Sequence, residues 1–292
     1  MFNKDIKIAF FGNSEFSLIA LEELQKLGVM VDLVVTTPDK PQGRKMILTP
    51  TETKVWAENN SIEYSEVAKL KDESFLEKIK DYDLFIVASY GKIISKIVID
   101  IPKYKVLNIH PSLLPKYRGP SPLQGQILND EKEVGVSIML IDEQVDHGAI
   151  VAQKKVEVPG WPVGFNELSL VLGKAGAQLL TEILPDWIKG KITPREQDHD
   201  KATFTKKIEK ADGLISFPEV EPRGIRGNYQ DYLKILAYEN WPQAFFEAER
   251  RGKKLKVIVK KAVWKNDSLE ILRVLPEGKN EMDYTAFLLG LK

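Results

Sequence analysis

The chain has 292 residues, 43% apolar and 29% charged, which suits about two domains at ~150 residues each and a core that needs no covalent staples. That composition excludes collagen-like, membrane-spanning and wholly disordered chains; the absence of cysteine excludes disulfides, thiolate zinc sites, iron–sulfur clusters and a cysteine nucleophile, and three histidines (His110, His147, His199) argue against a multi-histidine metal centre. The 42 basic and 42 acidic side chains cancel, so the chain is not a generic nucleic-acid coat, yet Arg250, Arg251, Lys253, Lys254, Lys256, Lys260, Lys261 and Lys265 crowd together with no acid among them.

The opening residues carry no secretory n- and h-region, and no apolar run reaches the ~18–20 residues of a membrane helix, so the expectation is a cytoplasmic protein. Ile6–Phe11 reads as a buried strand ending in Gly12-Asn13-Ser14. Phe16, Ile19, Leu21, Leu24 and Leu27 then recur at helical spacing. Val31–Val35, Asp83–Ala88 and Lys105–Ile109 are further strands, Val134–Ile141 and Ile150–Val156 are β-rich runs, and Phe165–Lys189 is one long amphipathic helix. Strands alternating with helices predict an α/β fold with a mostly parallel, Rossmann-like sheet over residues 1–189. The polar stretch 190–207 reads as an exposed linker. Residues 208–292, with one helix (Arg223–Leu236) and short β-branched runs at Ala244–Ala248, Leu255–Val263 and Leu269–Leu275, predict a smaller β-rich domain, a small antiparallel sheet or barrel.

In such sheets ligands sit beyond the carboxyl ends of the strands. Lys105–Ile109 leads into His110-Pro111-Ser112-Leu113-Leu114-Pro115, and period two puts Asn108 and His110 on one side of the strand. Asp146 lies in the acidic turn after the next apolar strand, placed to reach the same crevice. An amide donor for an oxyanion, an imidazole to shuttle a proton and a carboxylate to orient it suit acyl transfer to an amine. The same strand-end pattern beside prolines also fits a turn-capping arrangement. Gly12 supports no dinucleotide site, because FFGNSEF lacks GxGxxG, and there is no Walker loop, HExxH or GxSxG.

The run Asn108 through Gly119, then Gly135–Met139 and Asp142–Gly148, resembles the catalytic core of the 10-formyltetrahydrofolate-dependent formyltransferases. Outside that core, Thr36–Arg44 with Pro50 and Lys54, Lys207–Gly213, Asn240–Phe246 and Leu275–Met282 resemble landmarks of the methionyl-tRNA branch of that family. The resemblance implies a formyltransferase fold with a reduced OB-like C-terminal domain binding tRNA, and transfer of a formyl group from 10-formyltetrahydrofolate to initiator methionyl-tRNA in translation initiation. It implies Asn108, His110 and Asp146 as catalytic residues. It further implies Ser112, Leu113, Leu114 and Pro115 with Val87, Ala88, Tyr90 and Gly91 as folate-pocket walls, and Arg44 in a loop that enters the acceptor arm. Lys45 extends that loop's basic edge, and Lys254, Lys256 and Lys260, which alternation sets opposite Leu255, Val257 and Val259, are further candidates for phosphate contact. No metal is expected, since charge develops on one oxygen, and a monomer without membrane contact is the expected form. Sugar-nucleotide N-formyltransferase activity and non-catalytic RNA binding on the same fold are the alternatives.

Three features depart from the family pattern. Gln144 stands where the catalytic turn usually has glycine, which is costly if that position needs φ > 0. His147 follows the catalytic Asp146. Asn266-Asp267-Ser268 alone joins two strands where the family carries more barrel.

Overall fold

The computed structural model describes residues 6–42, 46–216, 219–221, 224–226, 228–250 and 252–291. Two compact units emerge, one of residues 1–120, 133–157 and 169–205, the other of 121–132, 158–168 and 206–292.

The first unit is built on β1 (Ile8–Phe11), β2 (Leu33–Thr36), β5 (Glu63–Glu66), β6 (Leu84–Val87), β7 (Val106–His110), β8 (Gly135–Leu140) and β9 (Ile150–Lys155). They form one sheet in the order β5-β2-β1-β6-β7-β8-β9, parallel from β5 to β7 and antiparallel from β7 to β9. A short hairpin, β3 (Lys40–Gln42) and β4 (Ile47–Thr49), interrupts the path from β2 to α2 (Glu52–Asn59). The remaining helices of this unit are α1 (Glu15–Lys26), α3 (Glu73–Ile79) and α4 (Lys96–Ile99), together with α6 (Phe165–Ile188), whose first turn belongs to the second unit.

Both faces of the central strands are apolar because both are covered. Ala9, Phe11, Leu33, Val35, Phe85 and Val87 point to one face and pack with Phe75, Ile79, Ile94 and Val98 from the α3–α4 region. Helix α6 covers part of the other face, and two of its glycines let it come close. A Cβ on Gly173 would strike Ile19 of α1, and one on Gly176 would strike Ile109 of β7. Ile109 is therefore clamped from behind. That orients β7 and fixes the opposite side, where Asn108 and His110 lie.

Strand order reverses at β1, whose neighbours are β2 and β6, and the loops leaving these carboxyl ends are tied by Asn13. Its Oδ1 accepts from Thr36 Oγ1 and from the Thr37 N–H, both at 2.9 Å, and its Nδ2 donates to the Tyr90 carbonyl. Ser14 caps α1 in a reciprocal box with Ser17.

The stretch 190–207 is exposed along most of its length, as expected, but it is tied to the first unit by backbone pairing. Ile150 and Arg195 exchange both backbone hydrogen bonds, at 2.8 Å each, and Thr203 and Thr205 pair with the backbone of Arg118. Its polar composition resembles solvated loop, but its hydrogen bonds are spent on the first unit, as is the buried Gln197.

In the second unit, α5 (Pro122–Leu128) packs on α7 (Tyr229–Ala237). The strands are a short pair, β10 (Glu219–Glu221) and β11 (Gly224–Arg226), and an antiparallel sheet of β12 (Phe245–Arg250), β13 (Lys253–Lys265), β14 (Ser268–Pro276) and β15 (Met282–Asp283), followed by α8 (Tyr284–Leu289). Phe246, Val257, Val259, Ile271, Val274, Tyr284 and Phe287 form its core. Asn266 (φ 51°) and Asp267 (φ 54°) close the β13–β14 hairpin with two left-handed residues, the geometry that matches strand twist. The short connection thus makes a complete tight hairpin, and the expected small β-rich C-terminal domain is present as this four-stranded antiparallel sheet.

Candidate active site

Asn108 and His110 occupy the carboxyl end of β7, paired to β6 through Val87 and to β8 through Met139 and Ser137. Asn108 is 8% exposed and His110 4% exposed. Among the described residues the Asn108 side-chain amide makes no hydrogen bond, and it is not one of the fully enclosed polar groups left without a partner, so its atoms stay accessible to a ligand.

His110 Nε2 lies 3.1 Å from the Tyr117 carbonyl. A carbonyl only accepts, so Nε2 is the donor, and a ring carrying one proton would keep its lone pair on Nδ1. Nδ1 faces Asp146 Oδ1 at 3.6 Å, beyond a direct hydrogen bond but within reach of a shared polar group. Asp146 Oδ2 accepts the Gly119 N–H at 2.7 Å. The carboxylate is thereby held with one oxygen anchored and the other turned to the imidazole. The structure brings the three expected side chains together.

The turn carrying Asp146 answers the question raised by Gln144. Gln144 is not in the left-handed region; Asp146 is, at φ 49°. An aspartate tolerates that conformation at modest cost, so glycine is not required at 144. Glycine is required at 148, where a Cβ would run into the Leu140 carbonyl. His147 pairs through Nδ1 with Asp142 Oδ2 at 2.6 Å and stacks on His199, with centroids 4.1 Å apart and planes 2° from parallel.

Beneath this turn lies a polar group that sequence reasoning missed. Arg118, 3% exposed, donates from Nε (3.1 Å) and Nη2 (2.7 Å) to Gln197 Oε1, and Nη2 lies 2.9 Å from His199 Nδ1. Burial pulls the guanidinium below its ordinary value, while the Asp146 and Asp142 carboxylates push it back up. Gln197 Nε2 donates to the Asp146 and Gly148 carbonyls at 2.9 and 2.7 Å. Gln197 and His199 sit in a charged stretch with no apolar periodicity, so no sequence signal marked them.

The eight expected folate-wall residues divide. Val87, Ala88, Tyr90, Ser112 and Leu114 are buried, and Leu114 packs with Met139 and Ile150. The Leu114 peptide is also engaged: its N–H donates to Ser137 Oγ and its carbonyl accepts from Gln153 Nε2. Leu113 and Pro115 are half-buried and Gly91 is exposed, in a turn whose flanks, Ser89 (φ 47°) and Gly91 (φ 72°), are left-handed. Of the eight, Leu113, Pro115 and Gly91 of this turn are the ones with surface open to a ligand.

Arg44 and Lys45 lie outside the described residues. Beyond them Met46, just ahead of β4, and Ile47 and Leu48 in it are each more than 60% exposed. At the hairpin's base Lys54 bridges Asp39 (2.9 Å) and Glu66 (3.1 Å), and these carboxylates raise its ammonium above the ordinary lysine value. On β13, Lys254 and Lys260 are exposed and Lys256 half-exposed, opposite Val257 and Val259 as alternation predicts. Lys254 meets Glu247 at 3.1 Å, and the Lys256 ammonium lies 3.6 Å from the Phe245 ring centroid. A register shift between Val259 and Lys261 sets Lys260 and Lys261 side by side on the exposed surface. Among the described residues no cluster of three histidines and carboxylates stands close enough to hold a metal, and no helix is long and apolar enough to cross a membrane.

Comparison with known proteins identifies the family. Residues 6–161, more than half the chain, match the Formyl transferase family. A methionyl-tRNA formyltransferase of Chloroflexus aurantiacus is 35% identical over 98% of this chain and 97% of its own length. Among solved structures, the methionyl-tRNA formyltransferase of Clostridium thermocellum superposes with a TM-score of 0.57 at 17% identity, over 95% of this chain and 99% of that one. An N-formyltransferase of Helicobacter canadensis, in complex with folinic acid and dTDP-3-aminofucose, gives 0.59 at 19% identity over 89% of each chain. Those two likenesses establish the fold. The near-complete match at 35% identity reaches further: the chain belongs to the methionyl-tRNA formyltransferase family.

Proposed function

We propose that the chain transfers a formyl group from 10-formyltetrahydrofolate to the α-amino group of initiator methionyl-tRNA, as a monomer, in the cytoplasm and without a metal. The observation that carries the reading is the Asn108 amide, without a hydrogen bond among the described residues, two residues along a strand from an imidazole whose Nδ1 faces a carboxylate at 3.6 Å. Family membership supports the acceptor, and the folate-derived donor follows from the same membership.

The reaction needs a neutral amine, a stabilised oxyanion and a proton delivered to the leaving nitrogen. Asn108 Nδ2 would donate to the formyl oxygen as the α-amine attacks the formyl carbon and that oxygen gains charge. His110 Nδ1 would take the proton that the attacking nitrogen sheds, Nε2–H remaining on the Tyr117 carbonyl. The Asp146 carboxylate then faces the imidazolium it has helped to form. As the bond from the formyl carbon to N10 breaks, His110 returns the proton to N10, leaving tetrahydrofolate and formylmethionyl-tRNA with atoms and charge balanced. Leu113, Pro115 and the 89–91 turn would line the folate side, over the buried Val87, Ala88, Tyr90, Ser112 and Leu114. Arg44, Lys45, Lys254, Lys256 and Lys260 would meet tRNA phosphates, with residues 208–292 as the accessory RNA-binding region.

Incubation with 10-formyltetrahydrofolate and three separate acceptors tests the reading: charged initiator methionyl-tRNA, glycinamide ribonucleotide and an amino-sugar nucleotide. Formyl transfer to the methionyl-tRNA is expected. Transfer to the sugar nucleotide in its place would overturn it.

A further inference from the structure

Asp146 sits in a left-handed conformation, which few L-residues adopt freely and which persists where the surroundings over-determine it. Two hydrogen bonds do so here, both from one side chain. Gln197 Nε2 donates to the carbonyl of Asp146 itself and to that of Gly148, two residues on. The opposite end of the same amide, Oε1, receives Nε and Nη2 of Arg118. Arg118 lies between the two backbone groups that hold the other catalytic atoms: the Tyr117 carbonyl on His110 Nε2 and the Gly119 N–H on Asp146 Oδ2. One buried amide therefore ties the segment that orients the imidazole to the turn that carries the carboxylate. A primary amide is the side chain that suits the role, offering an acceptor to the guanidinium and a two-proton donor to a pair of carbonyls.

We infer that Gln197 is a positioning residue for the reaction, setting the gap between His110 Nδ1 and Asp146 Oδ1 through Arg118 and the 146–148 turn. The inference rests on the catalytic reading of Asn108, His110 and Asp146 above. It assigns a mechanistic role to a stretch, 195–205, whose composition suggests nothing but a connection.

Gln197→Glu separates positioning from simple bracing. The carboxylate still accepts from Arg118, with added charge, so a residue that merely fastens the 195–205 segment loses nothing. Its second oxygen, however, would face the Asp146 and Gly148 carbonyls with no proton to give. The expected result is a fall in kcat of about 10–100-fold, the scale on which misplacements of up to an ångström act, with KM for 10-formyltetrahydrofolate and for methionyl-tRNA within about twofold of the parent. In an Asp146→Ala background, single-turnover rates should show no further loss from Gln197→Glu, because the group being positioned is gone. Gln197→Met, of similar length and burial, serves as a second variant, and thermal melting accompanies both. Parental kcat in Gln197→Glu, an additive loss in the Asp146→Ala background, or losses that in both variants track unfolding would each overturn the inference. Full activity of Asp146→Ala alone would instead refute the catalytic reading on which it rests.

Discussion

His110 has one nitrogen committed to a backbone carbonyl and one turned to a carboxylate 3.6 Å away, an asymmetry that the proposed proton relay would use. The trio was legible because period-two spacing in β7 puts Asn108 and His110 on one side, and the acidic turn after the next apolar strand set Asp146 within reach, a pairing that the resemblance to formyltransferases also implies. The left-handed Asp146 and the Gln197–Arg118 group were not legible, because both depend on contacts between segments far apart in sequence. Asn108→Ala should lower kcat by about 10²–10³ with folate affinity retained, since in the proposed mechanism the amide acts on charge that develops only in the transition state. Steady-state kinetics and folate titration check this, and unchanged turnover would remove Asn108 from the mechanism. If Asp146 acts through the imidazole, as proposed, the His110→Ala, Asp146→Ala double variant should be little slower than the slower single variant. Independent, multiplicative losses would mean that the two residues do separate work.

At the scale of elements, the strongly apolar strands β1, β2, β6 and β7 were readable from their buried runs, as was α6 from its helical periodicity. Strand β5, of sequence Glu-Tyr-Ser-Glu, was not, because it lies at the sheet's end and is only half-buried. Alternation along β13 was readable as far as Val259. The register shift beyond it changes which residues point inward, so that Ala262 and Trp264 pack against the second unit's core. Helix α7 offers an independent test of the packing. Its Asp231 is 5% exposed and accepts the Ser216 N–H at 3.3 Å; burial raises its carboxyl above the ordinary 3.8, against opposing pulls from the Ser216 backbone and Lys234. A raised folded-state value means that the folded chain binds the proton more readily than the unfolded chain. Asp231 therefore favours folding below about 3.8 and loses that contribution as pH rises through its higher folded value. Asp231→Asn keeps an acceptor for Ser216 without the charge. It should melt above the parent at neutral pH, and the difference should shrink as pH falls toward 4. Melting curves at several pH values decide it, and a difference that widens on acidification would show that the buried charge is not the cause.

Across the whole molecule, charge is balanced in sum and uneven in place. From Asp200 onward 18 basic side chains stand against 14 acidic ones, and their densest run lies on β13. A neutral protein can still grip RNA through such a face, because phosphate binding depends on local charge and released counterions. The alternative is a solvated strand, and the side-chain partners sharpen the choice. The Lys254–Glu247 pair is exposed on both sides, so little is lost if Lys254 exchanges Glu247 for a phosphate. Lys256 is pinned over Phe245, and Lys260 stands exposed beside Lys261 at the register shift. Replacing Lys254, Lys256 and Lys260 with Gln removes the charge without setting new carboxylates against Glu247. If all three meet phosphates, the slope of log K against log salt for tRNA binding should flatten by up to about 2–3 units, at ~0.9 per duplex contact. Affinity should fall for initiator and elongator tRNA alike, since phosphate contacts carry no sequence information. At saturating methionyl-tRNA, kcat should persist, because Asn108, His110, Asp146 and their supports are all drawn from residues 108–199. Filter binding across a salt series, with kcat measured in parallel, tests both halves of the expectation. An unchanged slope would make β13 an ordinary solvated surface and leave the grip on tRNA to the loop that carries Arg44 and Lys45.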